Sequence, residues 1–275
     1  MVPNKLNKNS PVAYLFDVDG VLTDPVERKV TEESLYDEII NRLARGEPVG
    51  LNTGRSTAWM KERFITPLLE RAEDKSILSN FVAIGEKGGA WITFDDKGRM
   101  HHGRASEISM PEDLKEKVRE LIDNDYSDSM FFDDTKETMI STEMIDGYDL
   151  NDYHQRQKDL IKNLEKILEE LGRNYKIDPT TIGTDIENPH VGKFLGAERF
   201  LKFLEDKNIK PDRFIAFGDS KSDFEMSDEL QRRGRKVEMI YVGDREKLGE
   251  SIREYPIEYV GGYSHGTLEY LKRTD

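Results

Sequence analysis

The stretch VAYLFDVDGVLTD, Val12 to Asp24, decides the reading of this chain. Its first five residues are an unbroken apolar run, the signature of a strand buried on both faces. Two aspartates two positions apart follow at once, then Gly20 and Thr23. Strand residues at i and i+2 point the same way, so Asp17 and Asp19 face one site. Charge at the end of a core strand is costly unless something uses it.

Outward from that stretch the pattern repeats. Residues 32–45 carry Leu35, Ile39, Ile40 and Leu43 on one helical face. PVGLNTGRS (48–56) reads as a second strand ending in a glycine turn, and residues 57–71 read as a helix. FVAIGEKGGAWI (81–92) reads as a third strand with a Gly-rich exit. Strand and helix in alternation predict an α/β fold with a Rossmann-like parallel sheet.

Between about 95 and 185 the pattern changes. A helix over 111–124, two strands (SMFFDD, TMISTEMI), a long amphipathic helix over 152–171 and two more strands (YKIDPTTIG, TDIE) spell αββ twice. This predicts an inserted α+β unit at 94–185, with the core formed by 1–93 and 186–275. The first pattern then resumes with a helix over 196–206, RFIAFGDS, VEMIYVGD, IEYVGG and a terminal helix over 267–272.

Ligands of open α/β sheets bind beyond the carboxyl ends of the strands. FDVDG, LNTGR and FGDSKSD all end there, which gathers Asp17, Asp19, Asp219 and Asp223. Two like charges at 4 Å repel by about 4 kcal/mol at an effective dielectric near 20. Such a cluster calls for a hard, oxygen-preferring cation, and Mg²⁺ suits it. Thr53, Gly54 and the start of the following helix offer a hydroxyl and N–H donors to a phosphate. Lys193 offers a local cation, and Arg55 and His190 are further candidates for substrate contact. An ionised carboxylate beside a cation suits in-line attack on phosphorus, with a second acid to move protons.

These residues resemble the four ordered motifs of the haloacid dehalogenase superfamily: DVDGVLT, NTGR, VGKFLGAERFL and GDSKSDFEM. The insert, placed between the second and third, resembles the type IIB caps of its sugar-phosphate phosphatases and phosphomannomutases. IGEKGGAWI resembles the ENGA stretch before such caps, with Lys87 for Asn; Ser222 likewise replaces the usual Asn of the fourth motif. The resemblance implies Asp17 as nucleophile and metal ligand and Asp19 as acid/base with its backbone carbonyl on the metal. It implies Thr53 and Lys193 on the phosphoryl oxygens, Asp219 on Mg²⁺, and Asp223 in support. A Mg²⁺-dependent phosphatase of a small phosphorylated metabolite is expected; a phosphomutase or a non-catalytic phosphometabolite sensor are the alternatives.

The bulk numbers narrow the partners. The chain has 275 residues, a net charge of −14 and no cysteine, which removes disulfides and thiolate sites. An acidic surface repels nucleic acid and anionic membranes, so neither is an expected partner; it also repels the small phosphate ester that the motifs lead one to expect, so a phosphate site here needs local cations. No GxxxxGK[ST] stretch supports a P-loop. Without a secretory or membrane-spanning apolar run, the expected compartment is the cytoplasm.

Overall fold

The computed structural model describes residues 12–248 and 253–274. The strands in chain order are β1 (Val12–Phe16), β2 (Val49–Asn52), β3 (Phe81–Gly85), β4 (Ala90–Phe94), β5 (Met100–Arg104), β6 (Met130–Phe132), β7 (Ile140–Met144), β8 (Lys176–Pro179), β9 (Gly183–Glu187), β10 (Arg213–Gly218), β11 (Val237–Tyr241) and β12 (Ile257–Tyr259). They form an eight-stranded sheet of order β12-β11-β10-β1-β2-β3-β4-β5 and a four-stranded sheet of order β6-β7-β9-β8.

In the large sheet β12 through β3 run parallel, and β4 pairs antiparallel to β3. β1 lies between β10 and β2, and all five of its residues are buried. Side-chain alternation divides it between two apolar layers. Val12, Tyr14 and Phe16 join the layer holding Leu35, Phe64 and Leu271, whereas Ala13 and Leu15 join the layer holding Phe200, Met226 and Leu230. At about 25 cal/mol per Å² of buried apolar area, these two layers are the main drive to fold the unit.

The helix expected over 57–71 is present, but its middle turn, Lys61–Ile65, is a π-helical turn between Thr57–Met60 and Thr66–Arg71. Pro67 explains this. It has no N–H, and its ring would clash with the carbonyl four residues back in a regular α-helix. That carbonyl, on Arg63, accepts a hydrogen bond from the Tyr36 hydroxyl at 3.3 Å instead.

The chain divides into two compact units, 1–103 with 192–275, and 104–191. The junctions therefore fall later than the sequence pattern placed them. Residues 94–103 stay with the large sheet because β4 and β5 are joined by a turn in which Asp95 accepts from Lys97 and Arg99. Residues 186 and 187 stay with the small sheet because β9 is paired on both sides. In the smaller unit every strand pair is antiparallel. Met130, Ile140 and Ile186 pack with Leu114 and Val118 of the helix Glu112–Leu121 and with Leu160 and Leu164 of the helix Leu150–Glu170. Asp149 caps the latter, accepting from the N–H groups of Asn151 and Asp152.

Two helix starts move by three residues or more relative to the sequence reading. The third-motif helix spans Lys193–Asp206 rather than 196–206, and the terminal helix spans Tyr263–Arg273 rather than 267–272. Among the described residues no helix is long and apolar enough to cross a membrane.

Candidate active site

β10, β1 and β2 are neighbours, so their carboxyl ends lie side by side. Asp17 and Asp19 follow β1, Thr53, Gly54 and Arg55 follow β2, and Asp219 and Asp223 follow β10. Gly20 makes the tight exit from β1 feasible for two reasons. Its φ is +74°, and a Cβ there would sit 2.3 Å from Asp219 Oδ2. Thr23 braces the loop by donating from Oγ1 to the Val18 carbonyl at 3.1 Å.

Lys193 is the hub. Its Nζ lies 2.5 Å from Asp17 Oδ1 and 2.8 Å from Asp223 Oδ1, and it donates to the Asn52 carbonyl at 2.8 Å. The ammonium is thus held across the ends of β1, β2 and β10, with only a tenth of the side chain exposed. Burial alone would push its pKa down, but the Asp17 and Asp223 carboxylates more than reverse this and hold it above its ordinary value. Asp223 also shapes its own loop. Its Oδ2 accepts from the N–H groups of Asp219 and Ser220 and from the Ser220 hydroxyl.

Two positioning contacts were not legible in the sequence. Asn52 Nδ2 donates to the Lys193 carbonyl at 2.8 Å, so both main chain and side chain of Asn52 grip this lysine. Glu225 Oε2 accepts from the Lys193 N–H at 2.9 Å. Gly192 precedes the helix and has no side chain to cap it, so a residue of the helix Phe224–Arg232 does so. Both contacts cross between distant parts of the chain and leave no local pattern.

Asp17, Asp219 and Asp223 each offer a carboxylate oxygen within 4.8 Å of the others. Burial, then the Asp223 charge, pushes the Asp17 carboxyl well above the usual range. The same two causes push Asp219 up to about 7. Three acids against one lysine leave negative charge uncompensated. An all-oxygen donor set with that deficit fits a hard divalent cation such as Mg²⁺.

The Asp19 carboxylate stands outside this cluster and faces Arg55. Arg55 Nε lies 3.1 Å from both Asp19 oxygens, and Nη2 lies 2.9 Å from Oδ1. Thr53 is fully buried, and its Oγ1 accepts from the Arg55 N–H at 3.1 Å and reaches Asp19 Oδ2 at 3.5 Å. Gly54 lies between them in the same turn. His190 belongs to the other compact unit, where it is exposed in a turn and its N–H donates to Asn188 Oδ1. The structure therefore gathers Asp17, Lys193, Asp219 and Asp223 into one cluster, with Asp19, Thr53 and Arg55 hydrogen-bonded beside it.

The sequence profile of the haloacid dehalogenase-like hydrolases matches residues 66–239, more than half of the chain. This protein belongs to that family. The matched stretch contains Lys193, Asp219 and Asp223 of this hydrolase; Asp17, Asp19 and Thr53 precede it. No curated protein matches the hydrolase significantly in sequence. Solved structures do resemble it. The C-terminal domain of C. albicans trehalose-6-phosphate phosphatase aligns with a TM-score of 0.67 at 16% identity, over 98% of this chain and 94% of that one. A crystal form of Aspergillus fumigatus trehalose-6-phosphate phosphatase gives 0.55 at 17%, over 98% and 94%. Thermoplasma acidophilum 0175 gives 0.59 at 18%, over 96% and 98%. At these identities the likeness establishes the fold.

Proposed function

We propose that this hydrolase cleaves a phosphate monoester of a small metabolite, a sugar phosphate, through a phosphoaspartate on Asp17. The observation that carries the reading is the buried Lys193 bridging Asp17 and Asp223, with Asp219 beside them at the strand ends. The trehalose-6-phosphate phosphatases among its structural neighbours favour a sugar as the alcohol.

In this reading a carboxylate oxygen of Asp17 attacks phosphorus in line. The bond from phosphorus to the leaving oxygen breaks, and Asp19 gives that oxygen its proton. Asp19, now ionised, takes a proton from water as the water oxygen attacks the phosphoaspartate. Phosphate leaves, and the Asp17 carboxylate and the Asp19 acid are both restored. Lys193, the Thr53 hydroxyl and the Gly54 N–H orient the phosphoryl oxygens. Mg²⁺ would be held by Asp17 and Asp219 with the Asp19 backbone carbonyl, Asp223 standing in support; when bound it supplies charge that stabilises the phosphoryl oxygens.

Phosphate release from a panel of sugar phosphates, with Mg²⁺ and with EDTA, tests the proposal. Release that depends on Mg²⁺ is expected, with free phosphate rather than an isomerised sugar phosphate as product. Asp17→Asn should lower it by about 10³-fold or more, since the nucleophile is gone. No release from any ester by the wild-type protein would overturn the reading.

A further inference from the structure

Three successive residues, Glu86, Lys87 and Gly88, take positive φ, at +50°, +53° and +104°. The left-handed region suits glycine and asparagine; a glutamate followed by a lysine pays a steric cost twice over. Residues held in such conformations cluster at functional sites, where the surrounding structure keeps them in place. Here it does so from two sides. The Glu86 N–H donates to the Arg55 carbonyl at 3.0 Å and the Lys87 N–H to the Thr53 carbonyl at 2.9 Å, which ties the turn to the exit of β2. Arg199 Nε donates to the Gly88 carbonyl at 3.3 Å, and a Cβ on Gly88 would sit 2.6 Å from Leu195 Cγ, which ties the turn to the helix Lys193–Asp206. It is thus fastened to both elements that hold phosphoryl oxygens in the proposed reaction.

From this turn the Lys87 side chain crosses Gly54. A Cβ built on Gly54 would meet Lys87 Cε at 3.7 Å, and the ammonium lies one bond beyond. Lys87 is only partly buried, as is Gly54, so the lysine can reach an arriving ligand. An acidic chain repels such an anion, and Lys193 is already shared among Asp17, Asp223 and the Asn52 carbonyl. We infer that Lys87 is a second phosphoryl-binding lysine, whose ammonium holds the substrate's phosphoryl group over the turn of Thr53 and Gly54. The inference rests on the proposed phosphatase reading and adds to it a residue that receives the anion.

Inorganic phosphate has the charge and shape of the phosphoryl group without an alcohol, so its affinity reads this contact by itself. Lys87→Met keeps an unbranched stem and removes the charge. With Mg²⁺ present, calorimetry should show its Kd for inorganic phosphate raised by about tenfold or more, the scale of one lost hydrogen bond to a charged group. The ratio kcat/KM should fall by a similar factor on a hexose 6-phosphate and on p-nitrophenyl phosphate, which share only the phosphoryl group. Lys87→Asn also removes the charge, but asparagine accepts the left-handed backbone more readily. It should lose the same phosphate affinity with a Tm no lower than that of wild type, which separates binding from a structural role. Wild-type phosphate affinity in both variants would overturn the role, and so would a loss confined to the sugar ester. Wild-type protein that releases phosphate from no ester would overturn the phosphatase reading; an active wild type whose variants bind phosphate undiminished would overturn the role of Lys87 alone.

Discussion

Both sheets of the molecule bury acids, and they treat them differently. In the small sheet Asp185 and Glu187 of β9 are at most 8% exposed. Each has a donor at its own register position on the adjoining strand. Ser141 faces Asp185 and donates at 2.7 Å, and Lys176 faces Glu187 at 3.0 Å. At the carboxyl edge of the large sheet, Asp17, Asp219 and Asp223 share Lys193, and two of those acids have raised pKa values. A buried acid matched by its neighbour is part of the architecture. Buried acids left in excess of their cations mark a place where another cation, or a reaction, belongs.

The comparison can be broken first at Lys193. Lys193→Ala leaves two buried carboxylates facing each other without their cation. Breaking a buried ion pair from one side costs about 3–5 kcal/mol. Chemical denaturation of the variant should show a loss of this size, and a loss below about 1 kcal/mol would make the cluster an ordinary surface pairing.

Magnesium gives the next test. Because the folded Asp17 and Asp219 carboxyls lie above their unfolded values, protonation favours the folded state. That contribution is present at low pH and fades as pH rises from the usual carboxylate range through about 7, the folded value of Asp219. A cation replaces the departing protons, so its effect runs the other way. The rise in Tm on adding Mg²⁺ should be small at pH 5.5 and full at pH 8. At a hundredfold excess over Kd it corresponds to about 2.7 kcal/mol. A Mg²⁺ effect independent of pH would mean that the ion binds away from these acids.

The smallest effect belongs to the small sheet. Ser141→Ala removes one donor from Asp185 and should cost about 1–2 kcal/mol. Its change in stability should not vary between Mg²⁺ and EDTA; a variation would tie this residue to the metal-sensitive acids.

Much of this is legible in the sequence alone. The apolar run Val12–Phe16, the two aspartates behind it and the turns at Thr53 and Asp219 carry local signals, and the parallel sheet follows from their alternation with helices. What escaped was tertiary. No pattern in the sequence pairs Glu225 with the Lys193 N–H or Asn52 with the Lys193 carbonyl. The boundary at 94 slipped because β5, MHHGR, has almost no apolar content, yet it lies next to β4 in the sheet. Lys87, in place of the expected Asn, shows a local rule overridden. It takes φ +53°, with Glu86 at +50°, in the left-handed region that Asn and Gly adopt more readily. Its N–H bond to the Thr53 carbonyl at 2.9 Å helps hold it there.

An ammonium carries three N–H bonds, and Lys193 has three acceptors: Asp17, Asp223 and the Asn52 carbonyl. Its donor valence is full in the resting protein. A phosphoryl oxygen that takes one of these bonds must evict an acceptor. Asn52 is main chain at a strand end, and Asp223 is fixed by its own loop. Asp17 is different, because forming the acyl phosphate strips its carboxylate of its charge and makes it a far weaker acceptor. In the proposed reaction the bond that stores the phosphoryl group is thus the event that frees the lysine to hold it.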